Sequence, residues 1–166
     1  TPPSLNSIGD KLTDQALRGA VSRSAKVHRP WLKVRMPIYR FGDGELEQLV
    51  QQLVDEDRIP TPTPTVPVLP KTPDDKLTTA AGSRLVTAGG FGCTSCHEVG
   101  GVKPPKAPLN AIGPDLTNLA TRIRRSWYER WVRNPIRIVP RMEMPSVQLP
   151  IKGVLDDNLA RQLDAA

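Results

Sequence analysis

The sequence predicts an all-α fold, because its apolar residues recur at helical spacing along most of the chain. The stretch over 44–56 is the strongest case, with an apolar stripe formed by Leu46, Leu49, Val50, Leu53 and Val54. A second helix is predicted over 74–90, and a third of about 17 residues follows Leu116. Aromatic residues make up only 4% of the 166 residues, so the side chains alone offer a small core.

Shorter amphipathic patterns predict a helix at each end of the chain. Leu5, Ile8, Leu12 and Leu17 predict a helix within 1–18, and leucines four residues apart predict another over 154–166. Residues 19–43 and 136–153 contain several prolines, so we expect irregular or extended chain there.

A proline-rich stretch divides the chain. Proline occurs at about every second or third position over 59–73, which prevents helix and central strand and favours an extended linker. We therefore predict a helical segment over 1–57, a linker over 58–73 and a domain over 74–166.

Residues 1–57 resemble the second half of the domain over 74–166. The apolar positions of 3–21 recur at a constant offset over 114–132, and Met36-Pro37 recurs, after a shift of three residues, as Met144-Pro145. We interpret 1–57 as the back half of a second copy of one module, with chance recurrence as the alternative.

The sequence Cys93-Thr94-Ser95-Cys96-His97 is the attachment pattern of a c-type haem. Each thiol can add to one vinyl group of the porphyrin, and the histidine that follows can bind the iron. Because Cys93 and Cys96 are the only cysteines, this use leaves no disulfide and no free thiol.

Composition limits the compartment and the partners. Covalent haem attachment predicts a periplasmic or other extracytoplasmic location. The sequence has neither a signal-peptide pattern nor an apolar run long enough to span a bilayer, so we expect a mature form or a piece of a longer protein. A net charge of +6 suits docking to acidic protein surfaces. No nucleic-acid-binding motif is present, so no nucleic-acid partner is predicted.

Residues 74–166 resemble a class I cytochrome c domain. The matching features follow the family's order: a helix, the haem-attachment pattern, Gly113-Pro114-Asp115-Leu116, Trp131-Val132-Arg133-Asn134-Pro135, Pro140 and Met144-Pro145, then a last helix. The resemblance implies a small all-α fold around one covalent haem c, with the first and last helices crossing near Gly82.

The resemblance also implies roles for the residues that hold the haem. Cys93 and Cys96 would form the thioether bonds, and His97 would be the proximal iron ligand. The carbonyl of Pro114 would accept a hydrogen bond from that histidine and so fix the orientation of its ring.

A methionine is the expected sixth iron ligand. Trp131 falls where the family has an aromatic residue in the haem pocket, and spacing from Pro140 favours Met144 over Met142 as the sulfur ligand. His28 would give a bis-histidine haem but is better interpreted as a surface residue across the linker. Met36 would be the ligand of a first haem whose attachment half is absent, or else a packing residue.

Three functions fit these patterns. The first is electron transfer by a non-enzymatic carrier domain of a larger redox protein, which docks redox partners with acidic surfaces. The alternative is a haem enzyme or small-ligand sensor, peroxidase-like, with an open or displaceable sixth site. The third has no haem and uses Cys93 and Cys96 as a redox pair or a zinc site. The apolar stripe of 44–56 must be covered, so a homodimer through residues 1–57 is a further prediction.

Overall fold

The described part of the chain is helical. The computed structural model describes residues 5–31, 33–61, 75–105, 112–140 and 142–147. The helices are α1 Ile8–Lys11, α2 Asp14–Val21, α3 Glu45–Asp57, α4 Asp75–Val86, α5 Leu119–Arg122, α6 Arg125–Arg133 and α7 Pro135–Ile138, with a 3-10 turn at Cys93–Ser95. These residues form no strand, only isolated β-bridges between Leu12 and Ile123 and between Val99 and Val102. The all-α prediction is therefore confirmed for this part of the chain.

Two of the predicted helices are present, and two are corrected. Helix α3 matches the prediction over 44–56, and α4 lies within 74–90 but ends at Val86. The first helix and the long helix after Leu116 are each interrupted, giving α1 and α2 in one case and α5 and α6 in the other. Helix α7 occupies the start of a stretch predicted to be extended, because the Asn134 side chain accepts a hydrogen bond from the Arg137 N–H and begins a new turn. The helix predicted over 154–166 lies outside the described residues.

The chain divides into two compact units. Unit 1 comprises Thr1–Thr61 and Pro114–Ser146, and unit 2 comprises Pro62–Gly113 and Val147–Ala166. Unit 1 thus joins the predicted N-terminal segment to the part of the predicted domain that follows the haem-attachment pattern. The proposed boundaries at 57 and 73 stay a prediction, and most of the linker lies outside the described residues.

Unit 1 contains the same pair of helices twice. Helices α1 and α5 begin at residues 8 and 119, and helices α2 and α6 begin at residues 14 and 125, in both cases 111 positions apart. Each first helix has four residues, and each second helix has eight or nine. The constant offset of the apolar pattern therefore corresponds to a repeated local structure.

The two pairs meet through reciprocal backbone hydrogen bonds. The Thr13 N–H donates to the Arg122 carbonyl and the Arg124 N–H donates to the Lys11 carbonyl, both at 3.0 Å. These bonds flank the bridge between Leu12 and Ile123, which are themselves 111 positions apart. Equivalent residues thus pair with each other, as they do across a local two-fold axis. The pairing requires extended backbone at both bridging residues, so each helix breaks there.

The core of unit 1 lies around this bridge. Leu12, Leu17, Ile123 and Trp127 are buried together. Helix α3 covers them from one side with Val50, Leu53 and Val54, which are partly buried against the same cluster. Its apolar stripe is therefore covered at least in part by α1 and α2 of its own chain. Gly9 allows this approach, because a Cβ there would overlap the backbone of Leu53.

A buried carboxylate joins the two helix pairs. Asp10 is 1% exposed, and its oxygens accept hydrogen bonds from the guanidinium groups of Arg124, at 2.6 Å, and Arg130. The Ile59 N–H also donates to it, at 3.2 Å. A buried charge is tolerated only when it is paired and hydrogen-bonded, and these partners meet that need.

No helix in the described residues has both the length and the apolar character needed to cross a membrane. This agrees with the prediction that the sequence shows no transmembrane segment.

We predict that Asp10→Asn destabilises the protein by about 3 kcal/mol, because it removes the buried charge that compensates two arginines. The free energy of unfolding is measured by urea titration with circular dichroism. Asp14→Asn is the matched control, since Asp14 pairs with Arg58 at 2.5 Å but its side chain is 69% exposed. Asp14→Asn should lower the free energy of unfolding by less than about 1 kcal/mol. Equal losses for the two variants would contradict the role assigned to Asp10.

Candidate functional site

The haem-attachment pattern forms a single tight turn in unit 2. Helix α4 ends at Val86, and the chain folds back on it through a hydrogen bond from the Phe91 N–H to the Leu85 carbonyl, at 2.7 Å. The Cys93 carbonyl then accepts hydrogen bonds from the N–H groups of Cys96, at 3.2 Å, and His97, at 2.9 Å. Both thiols and the imidazole are therefore carried by one hydrogen-bonded turn.

The turn depends on a glycine at its start. Gly92 has a φ of +69°, in the left-handed region that residues with a Cβ rarely adopt. Its carbonyl accepts a hydrogen bond from the Ser95 N–H, at 3.0 Å, and another from the Ser95 hydroxyl, at 2.6 Å. These bonds fix the two residues between the cysteines.

A second glycine lies directly against the imidazole. The Gly113 N–H donates to the Cys96 carbonyl at 2.8 Å, and a Cβ added to Gly113 would overlap the His97 ring. The backbone at 113 thus supports both the turn and the face of the histidine. Pro114 follows in sequence, and the expected hydrogen bond from His97 to its carbonyl stays a prediction.

Burial raises the pKa of the Cys93 thiol above its usual value. A redox-active Cys-x-x-Cys pair needs the opposite shift, because the thiolate is the nucleophile. Burial of Cys93 acts in the direction opposite to the one that the thioredoxin-like alternative expects.

The predicted sulfur ligand is held by a tryptophan in unit 1. The Trp131 indole N–H donates to the Met144 sulfur, with 3.0 Å between nitrogen and sulfur. The Trp131 ring stacks on the Trp127 ring, with 4.9 Å between the centroids and 16° between the planes. The Met144 side chain is only partly buried. A thioether has a second lone pair, so this hydrogen bond leaves one available to a metal.

Two further polar groups lie at the stacked tryptophans, the Lys11 ammonium and the Trp127 indole N–H. The Lys11 ammonium lies 5.0 Å from the centroid of the Trp127 ring, and partial burial together with Arg122 and Arg29 lowers its pKa to about 8. The Trp127 indole N–H is buried and has no hydrogen-bond partner within the described residues. A buried donor without an acceptor costs about 1–3 kcal/mol.

The other candidate ligands have different surroundings. Met142 is partly buried, and Met36 is 38% exposed. His28 in unit 1 is partly buried, and burial is the main cause of its lowered pKa, with Arg122 and Lys26 acting in the same direction. None of these facts assigns an iron-ligand role to His28 or Met36.

The donor set of the turn fits a covalent haem. Two thiols and an adjacent imidazole on one turn supply the two thioether bonds and one axial ligand of a c-type haem. A structural zinc ion needs four protein ligands, and the part of the chain that the structure describes holds no group of three histidine, cysteine, aspartate or glutamate residues that could bind a metal.

The structure brings the predicted site residues together in two groups. Cys93, Cys96 and His97 share the turn of unit 2, and Trp131 and Met144 are hydrogen-bonded in unit 1. Ligation of one iron by His97 and Met144 stays a prediction.

Sequence reasoning missed two contributors to these groups. The motif identifies Gly113 but not its contact with His97, and its position directly before Pro114 is the signal that the sequence offers. The contact of Lys11 with the tryptophan pair left no signal in the sequence, because the two are more than 100 positions apart.

Comparisons with protein-family models, with curated proteins and with solved structures found no significant match. The resemblance to class I cytochromes c therefore rests on the motifs of this chain alone.

We predict that Gly113→Ala displaces the His97 ring and lowers the yield of protein with covalently bound haem and histidine-ligated iron. The measurement is haem staining after denaturing electrophoresis, followed by visible spectra of the native protein. Gly89→Ala is the matched control, because Gly89 is exposed and a Cβ there would meet only the Thr87 hydroxyl, at 3.8 Å. This is ordinary van der Waals contact, so the control should keep its haem. A Gly113→Ala protein with normal spectra would contradict the support assigned to Gly113.

We also predict that Cys93 in haem-free protein reacts slowly with iodoacetamide at neutral pH. Its raised pKa keeps the thiol protonated, so the alkylation rate should rise only at a higher pH than for the same cysteine in a short peptide. The experiment uses Cys96→Ser, which leaves one reactive thiol. A rate profile shifted to lower pH than the peptide would revive the redox-pair alternative.

Proposed function

We propose that this chain transfers electrons through one haem c that is covalently attached at Cys93 and Cys96 and ligated by His97 and Met144. The observation that carries the proposal is the turn of unit 2, which presents two thiols and an imidazole supported by the Gly113 backbone. The partner of this turn in the proposal is the sulfur of Met144, which already has a defined hydrogen-bond donor.

When bound, the haem supplies an iron that cycles between ferric and ferrous states. The protein residues hold it and set its properties. Cys93 and Cys96 anchor the ring, and the Gly113 backbone restricts rotation of the His97 imidazole. Trp131 orients the Met144 sulfur. A sulfur ligand favours the ferrous state and closes the iron to small molecules, which suits an electron carrier.

Arginines of α6 and α7 give the proposed carrier a basic surface. Arg125, Arg133 and Arg137 are exposed. Positive charge raises the rate of encounter with acidic proteins and loses this effect at high ionic strength. We therefore propose redox partners with acidic docking surfaces, in an extracytoplasmic compartment where covalent haem attachment takes place.

A haem enzyme or gas sensor is the alternative, and it differs at the sixth iron position. Such a protein would have an open or easily displaced ligand, and its ferric iron would be high-spin and bind cyanide readily. The hydrogen bond between Trp131 and Met144 supports the closed form.

We predict that the ferric protein shows the weak far-red absorption band of methionine-ligated haem, and that Met144→Ala abolishes this band. Met142→Ala is the matched control, because it removes a methionine of similar burial two residues away. The measurement is the visible spectrum of ferric protein matured with covalent haem. Loss of the band only in Met142→Ala would transfer the ligand role to that residue. High-spin iron in the unmodified protein would favour the enzyme or sensor, and absence of covalent haem would refute the proposal.

A further inference from the structure

The chain between α2 and α3 is basic and contains no acidic residue. Residues 22–42 include six arginine and lysine residues and no aspartate or glutamate. The six side chains are exposed and form no ion pair within the described residues; they are Arg23, Lys26, Arg29, Lys33, Arg35 and Arg40. The Arg35 guanidinium donates hydrogen bonds to the carbonyls of Pro30 and Val34, both at 3.1 Å, and these groups are neutral. This part of unit 1 is therefore a surface of uncompensated positive charge.

Apolar side chains alternate with these charges over residues 33–40, which we call the exposed segment. Each of its residues is exposed, and within the described residues it belongs to no helix or β-bridge. Val34 is 72% exposed, Ile38 is 73% exposed and Tyr39 is 57% exposed. Large apolar side chains grouped on a surface in this way are typical of a binding surface.

The charge of the exposed segment indicates what covers it. Two copies of the chain that met through this segment would bring two sets of uncompensated cations together. Like charges in contact are destabilising, so the segment disfavours a second copy of itself. An occupant with negative charge and an apolar interior fits both kinds of side chain.

The form of the exposed segment favours a lipid surface over an acidic protein. A protein contact is anchored by side chains in recesses, whereas the cavity of about 430 Å³ in unit 1 is lined by residues of α2 and α3 and by none of this segment. Charged residues are also depleted at the centres of protein interfaces, but here they alternate with the apolar ones. At a bilayer the same mixture is favourable, because apolar side chains enter the headgroup region while long basic side chains reach the phosphates.

We propose that residues 33–40 bind the protein to the surface of a bilayer rich in anionic phospholipid. Val34 and Ile38 enter the headgroup region, and Lys33 and Arg40 contact lipid phosphates. Such peripheral contact needs no membrane-spanning helix. The inference goes beyond electron transfer and does not depend on it, because it uses none of the residues assigned to the haem.

The test is cosedimentation of the full chain with vesicles. One set of vesicles contains phosphatidylglycerol and phosphatidylcholine in equal parts, and the other contains phosphatidylcholine alone. Ile38→Ser removes an apolar side chain from the segment. Ile136→Ser is the matched control, because Ile136 is 56% exposed but lies in α7. Circular dichroism checks that each variant is folded.

A second pair of variants separates local charge from net charge. Lys33→Gln with Arg40→Gln removes two positive charges from the segment. Arg133→Gln with Arg137→Gln removes the same charge from exposed positions of α6 and α7. Both double variants keep equal net charge, so only the position of the loss differs.

We expect the unmodified chain to bind the anionic vesicles at least about tenfold more tightly than the neutral ones. Each basic residue near an anionic surface contributes about fivefold, so the double variant in the segment should lose at least about tenfold. Its control should lose less than about threefold, since distant exposed charges are screened by salt. Ile38→Ser should lose at least about fivefold, and Ile136→Ser should bind within about twofold of the unmodified chain.

Equal losses within each pair of variants would mean that the positively charged protein adsorbs without using the segment, and this would overturn the proposal. Absence of a preference for anionic vesicles would overturn it as well. Soluble polyglutamate serves as a second probe. Polyglutamate binding that is lost in Ile38→Ser, without vesicle binding, would assign the segment to an acidic protein instead and so contradict the lipid surface.

Discussion

The backbone pairing of Leu12 with Ile123 is the constraint on which unit 1 depends. It interrupts two helices at equivalent positions, because each bridging residue must be extended to exchange hydrogen bonds with its counterpart. The interruption lets the second helix of each pair take its own direction and places Leu17 and Trp127 in one core. The carboxylate of Asp10 then pairs with two arginines of the opposite helix pair. Loss of the backbone pairing would therefore move Asp10 away from these two arginines.

Unit 2 depends on backbone shape in a similar way. The haem-attachment pattern specifies which side chains are present, but two glycines determine how they are displayed. Gly92 supplies the left-handed start of the turn, and Gly113 supplies a surface without Cβ for the His97 ring. Preorganisation of this kind reduces the entropy lost when a large rigid group is bound. The positions of the two thiols and the imidazole therefore depend on these glycines as well as on the cysteines.

The sequence predicts local features of this protein better than long-range ones. The stripe of 44–56 predicts α3 because its period is set by residues three and four apart, and a similar pattern predicts α4. The breaks at Leu12 and Ile123 are missed because the competing hydrogen bonds come from residues more than 100 positions away. The sequence does not reveal the arginine partners of Asp10 for the same reason, because they also lie more than 100 positions away. The repeat is visible as a constant offset in sequence, whereas the direct pairing of equivalent residues required the structure.

The two copies in unit 1 share an interface and differ in their sites. Each copy supplies one residue of the β-bridge, and in each the second helix is followed by a methionine and a proline. In the second copy, Trp127 and Trp131 form a stacked pair, and the Trp131 indole donates a hydrogen bond to the Met144 sulfur. The alanines at the equivalent positions of the first copy, Ala16 and Ala20, can do neither. Backbone pairing tolerates this divergence because it does not involve these side chains. One backbone frame can therefore support two methionine-proline segments whose side-chain surroundings differ.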